Sequence, residues 1–107
     1  MNAQQHIEAF TLEAHRLAVQ RLREQPQRCS EAIEVLRRWR AAAECPARSG
    51  LYWSEWERLL AQGPDAVEAA VCAMTDHAAT LRSVSPLGRL LTVEERHRLH
   101  RAARVQR

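Results

Sequence analysis

The chain has 107 residues, 46% of them hydrophobic and 27% charged, with a formal net charge of +3, a balance that excludes compositional disorder. Three glycines and four prolines leave little material for hairpins, while good helix formers dominate the rest. That length predicts one domain over residues 1–107 with a single modest core.

The hydrophobic pattern predicts an all-α fold, an irregular bundle of five to six helices at about 2–25, 30–44, 51–62, 64–74, 76–83 and 93–104. Nothing breaks the first helix before Pro26, which restrains the residue preceding it. It carries two apolar stripes: Ala3, Ile7, Phe10, Ala14, Leu17 and Ala18 on one face, and Leu12, Val19 and Leu22 on another. Two stripes on one helix suggest contact on more than one side, including with a partner chain.

The second helix is expected to start at an N-cap, Ser30, with Glu31 and Glu34 near the positive end of its dipole. Ala32, Ile33, Leu36, Trp39 and Ala43 form its apolar stripe, and Cys45-Pro46 is expected to end it. "CPARSG" then reads as the longest loop. Tyr52, Trp56, Leu59 and Leu60 mark the third helix, and Gly63-Pro64 both stops it and starts the fourth. The fourth presents Val67, Ala70, Val71 and Met74, before "TD" at 75–76 caps a short fifth helix with Ala79 and Leu81. The first two helices are expected to pair antiparallel, with the rest capping a core of Trp56, Val71, Met74, Leu81 and Leu90.

A turn at Ser85-Pro86 and Gly88 precedes the last helix. Thr92 and Glu95 have the spacing of a capping box, in which the hydroxyl accepts from one exposed amide and the carboxylate from another. Val93, Leu99 and Ala103 give this helix a thin apolar face.

Charge is segregated along the chain. Residues 1–25, 26–50, 51–80 and 81–107 carry zero, +2, −4 and +5, and every basic side chain is arginine. The basic end can meet an acidic partner or the chain's own acidic middle. Cys29, Cys45 and Cys72 are odd in number and lack paired spacing, no charged-then-apolar leader opens the chain, and no apolar run nears membrane-spanning length. A cytoplasmic location with reduced thiols is the expectation.

His97 and His100 share a helical face, but the arginines around them disfavour a cation, so no metal and no cofactor is expected. Cys72 and His77 would lie about 140° apart on a continuous helix, a poor thiolate–imidazole geometry. With no phosphate loop and no nucleophile or zinc motif, no enzyme activity is expected. Arg96, His97, His100, Arg101 and Arg104 can instead follow a partner surface or a phosphate track. A second nucleic-acid arrangement joins residues 69–85 as helix, turn and helix, with His77, Thr80, Arg82 and Ser83 exposed. Trp53 falls off the third helix's stripe and, with Trp39, is placed at the border of an exposed apolar patch.

Three segments in order, "AHRLAVQRLREQP" at 14–26, "YWSEWERLLAQGPDAV" at 52–67 and "LRSVSPLGRLLTVEERHRL" at 81–99, together resemble a group of short, uncharacterised bacterial proteins. Their shared signature runs leucine-arginine, Ser-Pro, leucine, Glu-Arg over the C-terminal half. The resemblance covers about half of this chain and implies an association with mobile elements and toxin–antitoxin-like neighbourhoods. Where the group's pattern has aromatics after Ser-Pro and Glu-Arg, this chain has Leu87 and His97. The group has no assigned functional residue to carry over.

The residues favour a small non-enzymatic regulator or inhibitor, antitoxin-like or anti-defence-like, that occludes a partner protein through Trp39, Trp53, Arg96, His97, His100, Arg101 and Arg104. The alternative is a DNA-binding transcriptional regulator using the Arg-rich last helix. A homodimer is a third reading of the two-faced first helix.

Overall fold

The computed structural model describes residues 3–42 and 47–105, with side chains described for 5–42 and 50–103. Six α-helices and one 3-10 segment follow in order: α1 (Ala3–Glu24), α2 (Arg28–Ala41), α3 (Ala47–Gln62), α4 (Pro64–Val71), α5 (Asp76–Ser83), the 3-10 segment (Leu87–Leu90) and α6 (Val93–Val105). No strand occurs among the described residues, so the all-α reading holds.

One contiguous apolar cluster joins these elements. It takes Ala18, Val19 and Leu22 from α1, Leu36 from α2, Trp56 and Leu60 from α3, Val67 and Val71 from α4, Leu81 from α5 and Leu87 from the 3-10 segment. Trp56 is wholly buried, and its indole N–H donates to the carbonyl of Leu81 at 2.8 Å. The largest core side chain thus leaves no polar group unsatisfied.

Several local expectations are corrected. α2 begins at Arg28 rather than at a Ser30 cap, because amides of Arg28 and Cys29 close on the carbonyls of Gln25 and Pro26 at 2.9 and 3.0 Å. The tight turn carries the chain straight into a helix that buries Cys29. Ala47 to Gly50 of the expected loop belong to α3, whereas Ala43, Cys45 and Pro46 lie outside the described residues. α4 stops at Val71, and Met74 is 81% exposed instead of lying in the core.

Packing partners also differ from the expectation. α2 packs chiefly on α3, and α1 is met by α4, α5, α6 and the 3-10 segment, so α1 and α2 are not the principal pair. Val19 and Leu22 of the second α1 stripe are fully buried inside the chain. Both faces of α1 are therefore engaged without a second molecule, although Ile7 remains about half exposed at 52%.

Two terminal devices follow the sequence closely. Gly63 adopts φ 113°, a left-handed conformation that costs a residue without Cβ little, and its amide closes on Leu59 O at 3.1 Å. Its own carbonyl then accepts from the amide of Val67 at 3.2 Å, so one glycine ends α3 and begins α4. Thr75 is the N-cap of α5, its hydroxyl accepting from the Ala78 amide at 3.0 Å.

Candidate functional site

The last helix is fixed at its start by the reciprocal pair that its sequence announces. The amide of Glu95 donates to Thr92 Oγ1 at 3.0 Å, and the amide of Thr92 donates to Glu95 Oε1 at 2.8 Å. The second carboxylate oxygen of Glu95 accepts from Arg21 of α1, whose other terminal nitrogen donates to Leu90 O at 2.9 Å. These donors, the Thr92 amide first and Arg21 with it, hold the Glu95 carboxyl below the usual carboxylate range. At the far end, His100 stacks on Phe10 with centroids 3.7 Å apart and lies 3.3 Å from His6, Nδ1 to Nε2. Pairing of residue 21 with 95, and of 10 and 6 with 100, shows that α6 runs antiparallel to α1.

This docking divides the expected basic track. Arg96, though exposed, turns back to donate to Gly88 O, and His100 is half-buried against α1. His97 and Arg101 stay exposed, joined by Arg98. The side chain of Arg104 lies outside the described residues. Val93, placed by sequence on the apolar face, is 65% exposed, while Leu99 and Ala103 face the bundle.

Ion pairing explains what becomes of the segregated charge. In the acidic middle, Glu55 meets His77 at 2.8 Å and Glu57 meets Arg40 at 2.9 Å. Asp65 and Glu68 both meet Arg23, at 2.9 and 3.0 Å, which holds the Glu68 carboxyl below its ordinary value. Four of the five acids in that block are thus engaged by α1, α2 and α5, not by the basic C-terminal segment. Among the described residues five exposed arginines, Arg38, Arg58, Arg89, Arg98 and Arg101, make no ion pair or side-chain hydrogen bond, and the last three lie on the 3-10 segment and α6. Arg89 also shares a groove of about 250 Å³ with Arg28 and Arg38 of α2.

Trp39 and Trp53 are brought together as expected, with ring centroids 5.4 Å apart and tilted by 46°. Both pack against the core, however, and the Trp53 N–H already donates to Val84 O at 3.1 Å. The pair therefore has a structural role at the junction of α2, α3 and α5. Arg82, needed exposed by the 69–85 nucleic-acid arrangement, is buried at 8% and donates to Val71 O and Ala73 O at 2.6 and 3.0 Å. That arrangement loses one of its four exposed residues, its arginine.

One polar residue emerges that the sequence pattern did not single out. His15 is buried at 7% and lines, with Arg82 and Arg96, a cleft of about 430 Å³ between α1, α5, the 3-10 segment and α6. Burial chiefly, and the charge of Arg82 secondarily, pull its pKa down to about 4, against the opposing bond to Thr11. At neutral pH the ring is uncharged, so Nδ1–H donates to Thr11 O at 2.7 Å and Nε2 is left as an acceptor. Nε2 is buried and has no hydrogen-bond partner. The signal was present in the spacing: Leu12, His15, Val19 and Leu22 form one stripe, with His15 filling its gap.

No group of three or more metal-ligating side chains occurs among the described residues, nor any helix there long and apolar enough to cross a membrane. Cys29 and Cys72 are free thiols, both pushed up in pKa by burial, and Cys45 lies outside the described residues. Comparison of the chain with protein-family models, with curated proteins and with solved structures finds no match in any of the three.

Proposed function

We propose that the chain is a small non-enzymatic regulator that inhibits a partner protein, in the manner of an antitoxin or anti-defence protein, by covering an acidic patch on that partner with α6 and the 3-10 segment. One observation carries this reading. Four of the five acids of the middle block are paired within the molecule, while three of the five exposed arginines that have no side-chain partner among the described residues, Arg89, Arg98 and Arg101, lie together on the 3-10 segment and α6. Such a surface accelerates encounter with an acidic partner, and its guanidinium forks suit carboxylates. Val93, exposed beside the capped start of α6, is the apolar anchor within this surface. The two-faced α1 no longer supports a partner, because both of its stripes are engaged within the chain.

Nucleic acid is the second reading, because the same unpaired guanidiniums suit a phosphate track. Glu94 stands exposed at the N-terminal end of α6, the end that many groove-binding helices insert, and this favours the protein reading.

The test is affinity capture from the native host with the wild-type chain and with an Arg98→Glu, Arg101→Glu double variant. The proposal requires one protein in stoichiometric amount with wild type and its loss with the variant. Recovery of no stoichiometric protein, or equal recovery by both chains, contradicts it.

A further inference from the structure

Two of the exposed arginines without a side-chain partner among the described residues, Arg38 and Arg89, line one groove of about 250 Å³ between α2 and the 3-10 segment. Arg28 lines it as well. Its Nε donates to Gln25 Oε1 at 2.8 Å, and its terminal nitrogens take no partner among the described residues. Glu31, the acid in the lining, forms no ion pair among the described residues. Three guanidiniums against one carboxylate leave an excess of two positive charges in this groove. Like charges gathered without partners repel one another, so the stability of the fold does not account for the cluster. Arg28 also stands at the first position of α2, where the helix dipole opposes a cation.

The floor beneath these charges is apolar. Ala32, Val35, Pro86 and Leu90 line the groove and are buried. Arg28, Glu31, Val35 and Arg38 recur at three- and four-residue spacing, so they share one face of α2. Arg28 and Arg38 mark the two ends of that face, about 15 Å of helix apart, with Val35 between them. Arg89 comes from the opposite wall. The volume equals that of about eight water molecules at about 30 Å³ each, so an occupant must be small and slender. A larger hollow of about 750 Å³ beside Cys72 offers no such free charge, because its arginines, Arg16 and Arg23, are paired with carboxylates.

We infer that this groove binds a small organic dianion whose two anionic groups are separated by an unbranched apolar chain. Arg28 and Arg38 take one end each, Arg89 adds its charge from the 3-10 segment, and the chain lies on Val35 and Leu90. Two anionic groups balance the two excess positive charges, and the chain between them covers the apolar floor. A ligand with its charges side by side meets one end of the face alone, and a single anion leaves a guanidinium unanswered. Of these groups only Arg89 belongs also to the surface proposed for the partner protein, so ligand and partner are tested through different residues.

Suberate, a linear chain with a carboxylate at each end, is titrated into the full chain at constant ionic strength, beside succinate, octanoate and 1,8-octanediol. NMR follows the Nε–H groups of the arginines and the methyls of Val35 and Leu90. Suberate should shift Arg38, Arg89 and both sets of methyls saturably at millimolar concentration. Succinate, too short to span the face, and octanoate, with one charge, should each bind about fivefold more weakly, the loss of one solvent-exposed ion pair. Arg38→Gln, at an exposed position, should bring suberate down to the level of octanoate while the helical circular dichroism is kept. Arg98→Glu with Arg101→Glu, outside the groove, should leave suberate binding within about twofold of wild type, whatever becomes of partner capture. The inference is overturned if suberate gives no saturable shift, or if any of the other three probes binds as tightly. It is equally overturned if Arg38→Gln keeps the full affinity, or if the arginines shift while the methyls do not, which would mean a loose ion atmosphere and no seated ligand.

Discussion

The guanidinium of Arg82 donates to the carbonyl of Val71 at 2.6 Å, so the last turn of α4 is closed by a side chain from the following helix. A helix end presents unsatisfied carbonyls and a partial negative charge, and a cation there answers both. The same side chain takes Ala73 O at 3.0 Å, which holds the bend between α4 and α5 and leaves Met74 outside. Arg82→Met should therefore cost about 2–3 kcal/mol in urea unfolding, the range for charge-assisted hydrogen bonds. Met74→Gln should be nearly neutral. Equal effects at the two positions would mean that the bend is held by something else.

Acid should weaken the fold through His15. Its folded-state pKa of about 4 lies below the ordinary 6.5, so the unfolded chain binds the proton first as pH falls. The stabilising difference is fully present above about 6.5, is lost between there and about 4, and amounts to roughly 3 kcal/mol at most. Urea unfolding across this window should show a steeper decline for wild type than for His15→Phe. Parallel pH profiles for the two proteins would show that His15 does not carry the effect.

Removing the reciprocal cap should loosen α6 without unfolding the bundle. Thr92→Ala deletes the acceptor for the Glu95 amide and should cost about 1 kcal/mol. Thr92→Ser, which keeps the hydroxyl, should retain most of that. Hydrogen exchange is the sensitive readout, since the amides of the first turn of α6 should exchange faster in the alanine variant alone.

Nucleic-acid binding, if it occurs, has its own signature. Anisotropy titrations at several salt concentrations should show log K falling with log salt by about 0.9 for each phosphate contacted on a duplex. Arg101→Ala with Arg104→Ala should then reduce the slope by about one per lost contact. An unchanged slope would remove the phosphate track and leave the protein partner.

Helix identity was legible because it rests on local rules. Periodic apolar residues, Gly63-Pro64, the Thr75 cap and the Thr92–Glu95 pair each act within a few residues of one another. What local rules missed depends on distant atoms. Ser30 is a sound cap by composition, yet the turn at Pro26 and the burial of Cys29 start α2 earlier. The end of α4 depends on Arg82, and the separation of Arg96 and His100 from Arg98 and Arg101 depends on which side of α6 meets α1. The sequence placed the basic residues on one helix, but only the packing of α6 shows which of them bond back to the chain and which face outward. His15 sat in plain view on an apolar stripe, and only the fold shows its Nε2 to be unpartnered.

The most direct test of the central claim is a hydrogen-exchange footprint of the chain alone and in complex with a protein recovered by the affinity capture proposed above. The account predicts new protection across α6 and the 3-10 segment, around Arg89, Arg98 and Arg101, with α2 and α3 largely unchanged. Protection confined to the Trp39–Trp53 junction, with α6 exchanging as freely as in the isolated chain, would contradict it.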